Sequence, residues 1–253
     1  MLVHLVTIFP EYFGPSLACS VLRIAQEKQV LQVETVNLRD FADDAYRTVD
    51  DYPFGGGAGM IMKPEPIFRA VRQIASGEVT SDGRRATGGG APAWTILFSP
   101  QGRTLTQDRV RALADKAHLI LVCGHYKGVD QRVSDHLVDE EISLGDYILS
   151  GGEAAALVLL EAVARLLPGV VGDEESVNTD SFMAGLLDAP YYTRPRDFEG
   201  YVVPEVLVSG DHERVRQERH RQALEATRAR RPDLFARYPL TEQDKKLLMQ
   251  EEG

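Results

Sequence analysis

An α/β domain on a mainly parallel sheet, followed by a small, mostly helical domain, is the fold class this sequence predicts. Three observations carry the prediction. Short apolar runs alternate with helix-length stretches through the first two thirds of the chain, the pattern of parallel strands joined by helical crossovers. Glycine-bearing segments follow three of the runs, as at the carboxyl ends of parallel strands, where small residues let a ligand approach the backbone. Composition then shifts near residue 170 toward polar, proline-punctuated sequence.

In order along the chain, residues 2–9 are an apolar strand, residues 14–29 a helix, and residues 31–38 (LQVETVNL) alternate like a half-buried strand. Residues 52–62 (YPFGGGAGMIM) are a glycine-rich loop, and Pro64 or Pro66 opens the next helix. Residues 76–92 are rich in Gly, Ser, Thr and Arg without periodicity, which predicts a mobile surface loop. Strands at 94–98 and 118–122 flank a helix at 106–117, and residues 140–149 supply another short extended segment. Residues 153–167 (EAAALVLLEAVARLL) form a helix apolar on most faces, hence largely buried, ended by Pro168-Gly169. Residues 173–187 are acidic with little periodicity; Pro195 and Pro204 interrupt the next stretch, and a basic helix, Pro232 and a short amphipathic helix complete the chain. The domain boundaries predicted are 1–170, a linker at 171–188, and 189–253.

The chain of 253 residues is 43% hydrophobic and 26% charged, ordinary for a globular protein. No apolar run approaches the roughly 20 residues of a membrane helix, and the apolar start lacks the flanks of a signal peptide, so a cytoplasmic protein is expected. Two cysteines, Cys19 and Cys123, are too few for a disulfide framework, and no Cys/His cluster has zinc spacing. The net charge of −10 argues against nucleic acid, but it is unevenly spread. Residues 214–231 hold seven arginines against Glu218 and Glu225. Such a run is either a solvated helix face or a local RNA-facing patch.

Several chemistries lose support. No G-x-x-x-x-G-K-[ST] occurs, so residues 55–59 are not a P-loop; no G-x-G-x-x-G opens a helix after the first strand; G-x-S-x-G is absent. The candidate segments are SPQG at 99–102, CGHYKG at 123–128 and SLGDYILSGG at 143–152.

SPQG, GHYKGVDQRV at 124–133 and EISLGDYILSGGE at 141–153 resemble the TrmD family of tRNA (guanine-N1)-methyltransferases, in the SPOUT class. YPFGGGAGMIMKPEP at 52–66 and DSFMAGLLDAPYYTRP at 180–195 extend the resemblance over nearly the whole chain. It implies a C-terminal deep trefoil knot in the first domain, which general topology rules would reject. It also implies S-adenosylmethionine as cofactor, held by Ser99, Pro100, Gly124, Tyr126, Gly128, Leu144, Gly145, Asp146, Tyr147, Ile148, Leu149, Gly151 and Gly152. The resemblance further implies an obligate homodimer with sites built from both subunits, and tRNA as substrate, methylated at the guanosine of position 37 in the anticodon stem-loop. The helix at 153–167 is apolar enough to serve partly as the dimer face, although a monomer core would look the same. Magnesium is implied as an aid to activity, though no ligand cluster in the sequence is spaced for it, and no membrane association is expected. Lys127 departs from the family, which usually has glutamate there.

The reaction explains the residue types. N1 of guanine holds a proton at neutral pH, so transfer benefits from a base there and a cation near O6. Asp180 aligns with the family's base, Arg165 with the arginine that stabilises charge on O6, and Asp188 with a supporting acid. Without the resemblance, Asp180 would read as a solvated acid or a turn cap, and Arg165 as a salt-bridge partner. Gly55, Gly56 and Gly57 are candidates to order around the RNA, and Arg228, Arg230 and Arg231 to hold phosphates. Two other readings remain: a SPOUT enzyme acting on rRNA or ribose, and a non-catalytic RNA-binding protein.

Overall fold

The computed structural model describes residues 1–77 and 92–249. The first apolar run becomes β1 (Leu2–Thr7). The helix expected at 14–29 is two, α1 (Gly14–Leu17) and α2 (Ser20–Glu27), because Cys19 is extended and Ser20 has φ +47°. β2 (Gln32–Asn37) follows, and two-residue strands β3 (Asp50–Asp51) and β4 (Ile61–Met62) pair antiparallel around the glycine-rich loop. α3 (Pro64–Ser76) starts on Pro64, whose missing N–H costs nothing at a helix start, and ends on left-handed Gly77. The rest of the loop expected at 76–92 falls largely outside the described residues.

β5 (Trp94–Thr104) outruns its expected end at Phe98, so SPQG lies within a strand rather than after one. Phe98 and Arg103 both stand opposite Ile142, so residues 99–102 bulge out of the ladder between them. Thr106 caps α4 (Gln107–Ala114), accepting a hydrogen bond from the Arg109 N–H. β6 (His118–Val122) is buried at every position. Asp130 caps the unexpected short helix α5 (Gln131–His136). β7 (Glu140–Ser143) is shorter than the extended segment expected there. α6 (Glu153–Ala164) then crosses the sheet, and Arg165 is its C-cap rather than a residue within it.

The sheet runs β2-β1-β6-β5-β7, all parallel. Val3 and Leu5, Ile96 and Phe98, Leu119 and Leu121 face one apolar layer with Leu113, Leu159 and Leu160 from α4 and α6. Val6, Leu97, Ile120 and Val122 face the other, with Ile67 and Ile74 of α3 and Val133 of α5. Strand residues alternate between these layers because their side chains point to opposite faces. Each fully buried Leu or Ile contributes about 1.5–3 kcal/mol. The same order puts the carboxyl ends of β5, β6 and β7 side by side.

By contacts the chain divides into two units, Met1–Gly172 and Asp173–Gly253. The stretch expected as a linker is structured within the second: Asp173 caps α7 (Glu174–Thr179), and Leu186 enters that unit's core with Ala223 and Leu224. The antiparallel pair β8 (Asp197–Phe198) and β9 (Tyr201–Val202) precedes the arginine-rich α8 (His212–Arg230). α9 (Pro232–Phe235) and α10 (Glu242–Met249) close over it through Phe235, Tyr238 and Leu248. No described helix is long and apolar enough to cross a membrane.

Candidate active site

A cavity of about 400 Å³ opens at the carboxyl ends of β5, β6 and β7. Three segments wall it: the 99–102 bulge, residues 124–129 after β6, and residues 144–152 between β7 and α6. Ser99, Pro100, Gly124, Tyr126, Gly128, Leu144, Gly145, Tyr147, Ile148, Leu149, Gly151 and Gly152 line it, whereas Asp146 does not.

Backbone contacts hold the walls together. A side chain on Gly102 would stand 2.5 Å from the Glu141 carbonyl carbon and the Ile142 nitrogen, so only glycine lets β5 rejoin β7 after the bulge. Gly152 N–H donates to the Gly124 carbonyl at 2.8 Å, tying the third segment to the second. Met62 N–H donates to the Gly128 carbonyl at 2.9 Å, and Lys127 N–H to the Met60 carbonyl at 3.1 Å, tying the second to the glycine-rich hairpin. Gly55, Gly56 and Gly57 lie outside the cavity, exposed, with φ of +84°, +78° and +119° and open space around each. Side chains would strain that backbone.

The cavity lining holds one cation, Lys127, and one acid, Glu141, which accepts a hydrogen bond from the Ser134 hydroxyl. Beneath it, Glu153 is 4% exposed; its carboxylate accepts from the Thr7 hydroxyl at 2.7 Å and sits in the first turn of α6, where a helix favours an anion. Burial, and then the Glu153 charge, push the Cys123 thiol up, so this cysteine is an inert packing residue. The ring of His125 contacts those of Phe9 and Tyr126, and its Nδ1 is buried without a hydrogen-bond partner beside Gly151. Among the described residues no three His, Cys, Asp or Glu side chains converge as metal ligands.

The sequence matches the family described as tRNA (Guanine-1)-methyltransferase TrmD over residues 1–237. It is 46% identical to the tRNA (guanine-N(1)-)-methyltransferase of Staphylococcus carnosus over 98% of this chain and 96% of that protein. The protein of that name from Geobacillus kaustophilus is 47% identical, over 98% and 97%. That from Bacillus velezensis is 44% identical over the full length of both. The chain belongs to the tRNA (guanine-N1)-methyltransferase family.

In this family member Asp180 and Asp188 lie in the second unit and Arg165 in the first. Asp180 is exposed at the C-cap of α7, and its carbonyl accepts from the Met183 N–H at 3.2 Å. Asp188 accepts from the Ala189 N–H and the Tyr191 hydroxyl, both at 2.7 Å. That bond, reinforced by burial, raises the Tyr191 phenol above its ordinary value. Arg165 is exposed.

The arginines of α8 are not equivalent. Arg216 pairs with Glu213, Arg221 with Glu218 and Glu225, and Arg231 with Asp233. Glu213 and Asp233 flank the window that sequence counting treated as nearly acid-free. Arg219 lies over the Tyr191 ring. Arg228 and Arg230 are exposed without an ion-pair partner among the described residues.

Sequence reasoning missed Gln131, Ser134 and Glu141 in the lining. For Gln131 and Ser134 the signal was faint: α5 is six residues long, too short for periodicity, and only Asp130 before it marks a cap.

Proposed function

We propose that this enzyme methylates N1 of the guanosine next to the tRNA anticodon, at position 37, using S-adenosylmethionine held in the cavity at the ends of β5, β6 and β7. The observation that carries this reading is the convergence of all three glycine-bearing segments on one cavity in a chain of this family. The cavity fits the cofactor in kind. Leu144, Ile148, Leu149 and Ala155 suit an adenine ring, backbone groups suit its polar edge, and Lys127 with Glu141 suits a zwitterionic amino-acid head. When bound, S-adenosylmethionine supplies a methyl group already attached to a good leaving group.

The protein's own part is proton and charge management. Asp180 accepts the N1 proton, which makes the ring nitrogen nucleophilic. Arg165 offsets negative charge on O6 as that proton leaves. Asp188, held by Tyr191, supports the turn bearing the base. Residues 55–59 order around the RNA, and Arg228 and Arg230 hold phosphates. The first unit acts as a knotted SPOUT domain, which the insertion of β5 between β6 and β7 favours. The enzyme works as a homodimer, with magnesium assisting activity.

Mapping the methylated nucleoside in tRNA after incubation with enzyme and S-adenosylmethionine tests the reading. N1-methylguanosine at position 37 is expected. Asp180→Asn should abolish transfer while leaving cofactor affinity, measured by calorimetry, nearly unchanged. Product at a ribose or in rRNA would overturn it.

A further inference from the structure

Thr227 occupies an odd position. It lies in the last turn of α8, fully buried, on the face that carries Ala223 and Leu224 into an apolar core. A hydroxyl there gains little within the helix; its bond to the Ala223 carbonyl at 2.6 Å competes with the helix's own ladder. Its remaining capacity points outward: the Thr227 oxygen accepts a hydrogen bond from the Leu187 N–H at 2.9 Å.

Leu187 belongs to the turn that begins at Asp180, and that turn is closed on itself. Phe182 N–H donates to the Leu186 carbonyl at 2.7 Å, and Gly185 N–H to the Phe182 carbonyl at 3.3 Å. Asp188 N–H donates to the Ser181 hydroxyl at 2.9 Å. Ser181 follows Asp180 directly, and Leu187 precedes Asp188. The hydroxyl of Thr227 is therefore connected to Asp180 through two hydrogen bonds and two peptide links. Two further contacts hold the same turn here: Leu186 shares an apolar cluster with Leu224 of α8, and the guanidinium of Arg231, the C-cap of α8, lies over the Phe182 ring at 5.8 Å. Both are sliding contacts without directional preference. The Thr227 hydrogen bond is directional.

We infer that Thr227 is a positioning residue for the catalytic turn, so that the arginine-rich helix is also the mount on which the base is aimed. The inference rests on Asp180 being the base. General-base catalysis depends on hydrogen-bond reach, and a displacement of about 1 Å can cost up to about a hundredfold in rate. Thr227→Val keeps the side chain's shape and removes the acceptor for Leu187.

The test compares Thr227→Val, Thr227→Ser and Asp180→Asn in the full-length enzyme, with a tRNA transcript and S-adenosylmethionine as substrates. Thr227→Val should lower kcat about tenfold at saturating substrates, leave KM for S-adenosylmethionine unchanged, and be restored by Thr227→Ser. Its deficit should narrow toward alkaline pH, where hydroxide removes the N1 proton without help. Parental kcat in folded Thr227→Val, a defect confined to KM for tRNA, or a loss that serine does not restore would each overturn the inference. Should the valine variant fail to fold, Thr227→Cys, whose sulfur is a weak acceptor, carries the same comparison. An inactive Asp180→Asn beside a fully active Thr227→Val overturns the role of Thr227 alone. An active Asp180→Asn overturns the assignment of the base and this inference with it.

Discussion

Single residues in this protein are constrained from opposite directions. Gly102 is constrained by room, because a Cβ there meets the backbone of Glu141 and Ile142, which cannot swing aside as a side chain would. Gly102→Ala should therefore cost about 2 kcal/mol or more in thermal unfolding and weaken cofactor binding, since the bulge carrying Ser99 and Pro100 shifts with it. His118 is constrained by solvation. It is buried at the start of β6, and its Nε2 lies 2.9 Å from Nδ1 of His4. Burial, then the neighbouring His4, lower its pKa to about 4. The folded value lies below the unfolded value of about 6.5, so the stability it contributes is complete above pH 6.5 and lost as pH falls toward 4. On the order of 3 kcal/mol is at stake across that window. Urea midpoints measured from pH 7.5 to 5 should fall, and His118→Gln should flatten the decline.

Elements divide by how much of their cause is local. β1 and β6 were legible because central parallel strands are buried on both faces and read as continuous apolar runs. α3 was legible from its proline start. The split of α1 from α2 was not, because nothing in the sequence marks Ser20 for positive φ. α7 was hidden in a polar segment, where its one signal was the capping aspartate Asp173. The extension of β5 through SPQG depends on β7 realigning beyond the bulge, a tertiary event. The cavity was legible as three glycine-bearing segments; that Asp146 is not part of its lining was not. The basic helix shows the limit of counting charges, since pairing decides which arginines can meet a phosphate. Replacing Arg228 and Arg230 by alanine should flatten the salt dependence of tRNA binding by about two units of log–log slope. Adding Arg231→Ala, whose guanidinium already faces Asp233, should change it little more. Filter binding across a salt series distinguishes that from an equal contribution by all three.

At the scale of the whole molecule, the question is what α6 does with its outer side. Its inner residues are buried to the last, yet Val158 is 49% exposed beside them, an apolar group that a second copy of the chain would cover. In the homodimer proposed above, Val158→Glu should shift the population from dimer to monomer in sedimentation equilibrium while its circular dichroism stays unchanged; an undiminished dimer would move the interface elsewhere. The order of strands in the sheet has a consequence for how the chain is born. β1 leaves the ribosome beside β2, but its other neighbour, β6, begins only at residue 118. At about 5–20 residues per second, several seconds of translation separate β2 from β6. Throughout that interval β1 has one edge unpaired and apolar faces uncovered, the condition under which nascent chains aggregate. Those seconds are the period in which this protein most needs the protection of a chaperone.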